Sequence, residues 1–363
     1  MPHTDTLPEA PIDPPAKSQR IITLDYLRGL FIVIIIIDHV WRWPNLFQYI
    51  SGRGEMWTSA AEGFVMISGL LVGYVHGYKK RHQPLRPIAG KLLRRGLVLY
   101  IWTVLCTIIF AASVWLLTSP DTTVLSTPLV RGDWWQLITS ALTLSYISTW
   151  THFLYFYAFC LMVAPAVILL LRKNKLLIIL ALSLIGWYVG YINSIEWLQW
   201  QLVFFAATVI GYYFGIILQR YRQLPARPRF LARWAPVALF AITFIWSLTI
   251  VFQSPPGTPS GGVFDQNPLS LPTILLSFIW FAGLLSLFHA MAPKFPTWLR
   301  HLLLTLGERS LTSYIVHIVP LIGCALLFTV SENIIINTII VAIAIHATWG
   351  LMKIPHLNRV VPR

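Results

Sequence analysis

The chain has 363 residues, of which 56% are hydrophobic and only 11% charged, and its mean hydropathy is +0.68. These proportions exclude a soluble domain and point to an all-α, polytopic membrane helical bundle. The formal net charge of +14 would suit a nucleic-acid binder, but the basic residues lie in short loops between apolar runs, the positive-inside pattern of a membrane protein, so no nucleic-acid partner is expected.

Residues 1–20 are polar and Pro-rich and read as a disordered cytoplasmic tail. The first span follows, with Asp25 and Arg28 before its apolar run and Asp38 and His39 after it. No signal-peptide cleavage pattern follows that run, so it reads as an uncleaved anchor. About ten transmembrane helices are expected, at 22–41, 58–78, 95–117, 152–171, 176–193, 198–218, 235–252, 271–291, 306–330 and 334–352. An even count puts both termini on one side. That side collects the loop cations of 79–95, 172–175, 220–233 and 353–363, whereas the other holds Arg42, Arg53 and Arg131. Both termini are therefore expected in the cytoplasm.

The segment 119–151 is the exception, with an interfacial helix expected between Trp134 and Tyr146. The outer loop 253–270 is rich in Pro and Gly and reads as irregular. Residues 21–353 form a single transmembrane domain and 354–363 a cytoplasmic tail, with no soluble domain or internal repeat. Cys106, Cys160 and Cys324 lie in apolar runs without metal-type spacing and read as packing residues; no metal is expected.

Ionisable groups inside a span are expensive and carry a functional hypothesis by default. Arg28 and His39 are eleven residues apart, three helical turns plus about 20°, so they share a face. The rise between them is roughly 16 Å, about half the hydrocarbon thickness. His39 is a candidate base for removing a proton from a hydroxyl. Neighbours on a helix do not face each other, so Asp38 is a weaker partner for His39 than Glu62, which enters the next antiparallel span at a similar depth. Ser68, Gly69 and Gly73 are small residues suited to close helix packing.

Lys91, Arg94 and Arg95 open the third span and suit either a phosphorylated cytoplasmic ligand or lipid headgroups. Ser310, Tyr314 and His317 are spaced i, i+4 and i+7 on the ninth span. They form a polar stripe for a cavity, or for interhelical hydrogen bonds. His152, Gln201 and His346 are further intramembrane polar groups without an assigned role.

Arg28 with ten residues before His39 resembles the Arg-X10-His motif of acyltransferase-3 type integral-membrane acyltransferases. Leu24-Asp25-Tyr26-Leu27-Arg28-Gly29 with Asp38-His39, and Ala61-Glu62-Gly63-Phe64-Val65 leading to Ser68-Gly69, resemble the OpgC family more closely. That family is named for succinylation of osmoregulated periplasmic glucans. Trp200-Gln201-Leu202 is similar to its middle segment, and Ser310, Tyr314 and His317 are similar to the late acyltransferase-3 pattern. Ile315-Val316 stands where Leu-Trp is commoner, and the basic motif is looser than the family's.

The resemblance implies a transmembrane acyltransferase domain in the bacterial inner membrane. Its donor would be cytoplasmic acyl-CoA, with succinyl or acetyl as the acyl group, and its acceptor a hydroxyl of a periplasmic or envelope carbohydrate. Arg28, Lys91, Arg94 and Arg95 would hold the CoA. His39 would act as general base, with Asp38 or Glu62 orienting it, or would carry the acyl group covalently. Tyr314 would steady the oxyanion, and Ser310 and His317 would contact substrate. Two other readings are a transporter of an anionic solute, with Arg28 as its cation and His39 as a proton relay, and an inactive polysaccharide-binding relative. Labelling with acyl-CoA separates the three.

Overall fold

A computed structural model describes residues 21–117, 126–258, 262–355, 357 and 361. The expected tail at 1–20, most of the expected tail at 354–363 and residues 118–125 of the interfacial segment lie outside the described residues.

Every described element is helical apart from one isolated bridge, Gln266 to Leu269. In lipid the backbone must satisfy its own hydrogen bonds, and helices do this within one segment. The helices run α1 (Ile22–Val40), a single turn α2 (Gln48–Ser51), α3 (Ala60–Leu71), α4 (Leu85–Leu116), α5 (Trp134–Thr143), α6 (His152–Arg172), α7 (Leu176–Ile192) and α8 (Glu196–Tyr212). They continue as α9 (Phe214–Gln223), α10 (Ala226–Gln253), α11 (Leu271–Met291), α12 (Thr297–Glu308), α13 (Ser310–Val316), α14 (Ile318–Leu327) and α15 (Ile334–Leu351). A wide π-helical turn, Val72–Tyr78, extends α3.

Seven of the expected spans coincide with helices long and apolar enough to cross a membrane, at Ala60–Tyr78, Leu85–Leu116, Thr149–Arg172, Ala226–Gln253, Leu271–Lys294, Ser310–Leu327 and Ile334–Leu351. The chain is thus a multi-pass membrane protein. The other three expected spans differ in form. Helix α1 has the length but carries Asp25, Arg28 and Asp38 within its 19 residues. Helix α7 is an apolar helix of 17 residues. The expected span 198–218 is bent by 59° between α8 and α9. Half of α9 is polar or basic and none of its side chains is buried, so its chain leaves the direction of α8 for a more aqueous setting.

The expected ninth span also divides. Its first residues belong to α12, an amphipathic helix beginning at Thr297, and the crossing helix starts afresh at Ser310. The expected interfacial helix is α5, capped by Asp133, whose carboxylate accepts from the Gln136 amide at 2.8 Å.

Helix α1 is the centre of the bundle, packing on α3, α11, α12, α13, α14 and α15. Its Leu27, Ile32, Ile36 and Ile37 are fully enclosed. Two backbone-to-backbone crossings hold the centre. At the first, Gly29 of α1 lies on the Leu303 carbonyl of α12, and Gly307 of α12 on the Asp25 carbonyl of α1. At the second, Gly69 and Gly73 meet the Phe204 and Thr208 carbonyls of α8. Small residues let helices approach this closely where no hydrophobic force drives them together. Gln201 ties α8 to α7 through the Ser183 carbonyl at 2.6 Å, and His346 bonds the Ala342 carbonyl of its own helix at 2.8 Å.

Gly307→Ala should destabilise the fold by about 1–3 kcal/mol, because the added methyl has no space at the α1–α12 crossing. Gly350→Ala, which meets nothing within 4 Å, should be neutral or slightly stabilising. Thermal unfolding of the detergent-solubilised protein measures both.

Candidate functional site

Asp38 and His39 lie in the last turn of α1. Trp41 ends the helix in the left-handed conformation, with φ 50°. The chain then doubles back so that Arg42, although buried, donates to the carbonyls of Thr329 and, at 2.7 Å, Phe328. These carbonyls lie just beyond α14, so Arg42 satisfies backbone acceptors that the helix end leaves open.

His39 Nδ1 lies 3.0 Å from His317 Nε2, and the two rings stack at 5.2 Å with planes 26° apart. His317 sits at the break between α13 and α14, and its Nδ1 contacts the backbone carbonyl of Tyr314. That contact sets the tautomers. A carbonyl only accepts, so His317 Nδ1 carries a proton. In the neutral pair His317 Nε2 is then the acceptor, and His39 Nδ1 must donate to it. His39 Nε2 is left with a lone pair. Two residues far apart in sequence thus form a directed chain from carbonyl to imidazole to imidazole.

His39 lines a cavity of about 430 Å³ together with Ile35, Asp38, Trp41, Thr149 and Trp150. A second, mostly apolar cavity of about 200 Å³ lies between α1, α3, α10 and α11. Asp38, Gly54, Ser59 and Ala60 line both. Asp38 Oδ1 is buried and makes no hydrogen bond. The Asp38 side chain stands beside Ser51, and Gly54, with φ +73°, passes close to its carboxylate.

Glu62 is fully buried, but the group it holds is Ser59. One carboxylate oxygen accepts from the Ser59 amide at 2.9 Å and from the Ser59 hydroxyl. Together they close a capping box at the start of α3. The local sequence Ser59-Ala60-Ala61-Glu62 is the signature of that box. The partner of His39 Nδ1 is therefore His317. The second oxygen of Glu62 is buried without a hydrogen bond.

The stripe of Ser310, Tyr314 and His317 is buried. Tyr314 packs its ring against Phe64, Phe153 and His317, and its backbone carbonyl bonds the His317 ring.

At the other end of α1, Arg28 pairs with Asp25 one turn away at 3.6 Å, and its side chain is only 18% exposed. Lys91, Arg94 and Arg95 are exposed on the first turns of α4. The Arg95 guanidinium lies 5.9 Å from the Tyr157 ring. The charges of Lys80, Lys91 and Arg95 converge on His76, in the π-helical turn, whose Nδ1 is buried without a partner. Arg172 secures the turn by donating to the Lys80 and Gln83 carbonyls at 2.7 Å each. His76 had no distinguishing spacing in the sequence. An irregular turn that gathers it with three cations is the signal, and only the structure carries it.

One more cluster lies at the N-terminal ends of α6 and α8. His152 Nε2 is 3.1 Å from Glu196 Oε2, to which the Tyr155 hydroxyl also donates at 2.9 Å. They line a cavity of about 610 Å³ that includes Ile147 and Trp197. The 147–152 segment runs from this cavity to Thr149 and Trp150 in the His39 cavity. Among the described residues no three His, Cys, Asp or Glu side chains are placed to hold a metal ion.

A protein-family model described as OpgC protein matches residues 20–358. No curated protein and no solved structure matches the chain. The match takes in the helices that place His39, His317, Asp38 and the inner basic cluster, and by it the chain belongs to the OpgC family.

Proposed function

We propose that this protein is an integral-membrane O-acyltransferase of the bacterial inner membrane, with ten spans and both termini in the cytoplasm. It would move an acyl group from cytoplasmic acyl-CoA to a hydroxyl of a periplasmic or cell-envelope carbohydrate. The observation that carries this reading is the directed chain from the Tyr314 carbonyl through His317 to His39. It leaves an unprotonated imidazole nitrogen on a residue that lines an aromatic-walled, mostly apolar cavity holding Asp38, Ser59 and Thr149 as its other polar groups. A tautomer fixed by the hydrogen bond on the other ring nitrogen is what a general base requires.

In this mechanism His39 Nε2 takes the proton of the acceptor hydroxyl as its oxygen attacks the thioester carbonyl. The imidazolium so formed keeps its Nδ1–H on His317, and Asp38 on the same cavity wall offsets the charge. When the tetrahedral intermediate collapses, the C–S bond breaks and His39 returns the proton to the departing thiolate, releasing CoA-SH and the ester. Attack by His39 Nε2 itself, giving an acyl-histidine, uses the same lone pair. Trp41 and Trp150 offer flat apolar faces to a sugar ring. The Glu196 cluster extends the same wall for neighbouring residues of a longer glycan.

Arg28, Lys91, Arg94 and Arg95 would neutralise CoA phosphates, with His76 and Lys80 joining them. Arg28 is already partnered by Asp25, so in this reading it has the smallest share of that role. The same pairing gives no support to a transporter that uses Arg28 as its binding cation.

With purified protein in lipid nanodiscs, radiolabelled acetyl-CoA and a gluco-oligosaccharide, His39→Ala should lower acyl transfer by about 10²–10⁴-fold. Full transfer by a folded His39→Ala protein refutes the mechanism. His317→Ala should lower kcat with little change in KM, because it removes only the group that orients His39. Lys91→Glu combined with Arg95→Glu should raise KM for acyl-CoA at low salt and leave kcat nearly unchanged. The difference should shrink as ionic strength rises.

A further inference from the structure

His301 and His346 take no part in the His39 site, but the fold brings them to a cavity of their own. Asn337, near the start of α15, donates to the Pro44 carbonyl just past α1 at 3.0 Å. Helix α15 therefore runs back along α1, and its last turn reaches the end of the bundle where α1 begins. There it meets α12 across a cavity of about 420 Å³, whose walls include Trp298, His301, His346, Trp349 and Lys353. Among the described residues no Asp or Glu lines it.

Trp349 is the hub of this cavity. The Lys353 ammonium lies 3.3 Å from the centre of its ring, a contact that keeps the cation at the cavity. The rings of His301 and His346 stand nearly perpendicular to Trp349, each at 6.3 Å. Their own helices set the tautomers of the two neutral imidazoles. His346 Nδ1 bonds the Ala342 carbonyl at 2.8 Å and so carries the proton. The Thr305 hydroxyl gives its one proton to the His301 carbonyl at 2.7 Å, so it accepts from His301 Nδ1 at 3.2 Å. Each ring keeps an Nε2 lone pair. One fixed cation and two hydrogen-bond acceptors suit a ligand with a negative charge and hydroxyl donors.

The surrounding surface shapes the rest of that ligand. Ile339, Ile343, His346 and Gly350 share one face of α15, at spacings of four, three and four residues. Lys353 continues it in the turn that follows, its amide on the Gly350 carbonyl at 3.0 Å. Ile339 and Ile343 are 53% and 42% exposed, and a side chain at Gly350 would meet nothing within 4 Å. An open apolar track thus ends, roughly 21 Å along the helix axis, in a cation beside an exposed tryptophan, Trp298. Acyl chain, glycerol backbone and phosphate follow one another over a similar distance in one leaflet of a bilayer.

We propose that this cavity seats the headgroup of an anionic phospholipid, with its phosphate on Lys353, headgroup hydroxyls on His301 and His346, and an acyl chain along Ile343 and Ile339. A lipid so placed bridges α12 and α15 beside the α1–α12 crossing. Acyl transfer plays no part in this binding.

The full-length protein in detergent micelles, titrated with single lipids and followed by native mass spectrometry, tests it. Phosphatidylglycerol should bind about fivefold more tightly than zwitterionic phosphatidylcholine. It should bind about threefold more tightly than phosphatidylethanol, which has the same charge but no headgroup hydroxyl. Lys353→Gln should weaken phosphatidylglycerol binding about fivefold, whereas Lys353→Arg, which keeps the charge and serves as the folding control, should stay within about twofold. His301→Phe combined with His346→Phe keeps the ring bulk. It should abolish the preference over phosphatidylethanol and keep the preference over phosphatidylcholine.

Equal binding of phosphatidylglycerol and phosphatidylcholine, or unchanged binding by Lys353→Gln, overturns the headgroup site. Deacylated glycerophosphoglycerol binding as tightly as the lipid overturns the lipid as occupant in favour of a soluble phosphodiester. A double histidine variant that still prefers phosphatidylglycerol over phosphatidylethanol overturns the role of the imidazoles. A raised KM for acyl-CoA in Lys353→Gln, with lipid binding unchanged, gives the cavity to the thioester instead.

Discussion

A carbonyl cannot donate a hydrogen bond, and the site depends on that fact. The Tyr314 carbonyl fixes the proton on His317, and His317 fixes the proton on His39. In water, imidazole tautomers exchange freely and a lone pair would be presented by chance. In an apolar bundle an unpaired ring nitrogen is costly, so the satisfied arrangement is strongly preferred. The polar stripe of α13 thus orients the imidazole on α1. The helix break at His317 frees the ring to lean on the preceding turn.

The basic groups and the acidic and aromatic groups collect in different parts of the bundle. Cations collect around His76 and the start of α4, whereas the aromatic and acidic groups collect around Asp38 and His39. Between them α1 is enclosed on most sides, and its glycine crossing with α12 leaves no clearance for sliding. A continuous helix of fixed rise keeps the two ends in register, which a pair of hinged segments would not do.

Much of this was legible in the residues. Apolar runs located the helices, and the boundaries of α1, α11 and α15 lie within two residues of expectation. Arg28 and His39 stood out because charge inside a span is rare. The i, i+4, i+7 stripe marked α13 as polar on one face. What did not show was pairing across the fold: His39 and His317 are 278 residues apart, and no local pattern links them. Glu62 was drawn towards His39 by similar depth, although the Ser59-x-x-Glu62 pattern already described its partner. The bend after Tyr212 was hidden because α8 and α9 form one apolar run until Arg220. The two cavities depend on which faces of α10 and α11 meet α1, which is a property of packing.

Arg42 gives the outer end a further property. Helix α14 is tied to α1 twice, by the histidine pair where it begins and by Arg42 where it finishes. Two attachments at either end of a ten-residue helix make α1 and α14 a single strut. The strut holds the two imidazoles at a fixed spacing. The rest of the cavity wall, the 52–59 loop and the Thr149–Trp150 turn, lies outside that strut. The spacing of the histidine pair is thereby separated from the width of the cavity that His39 lines.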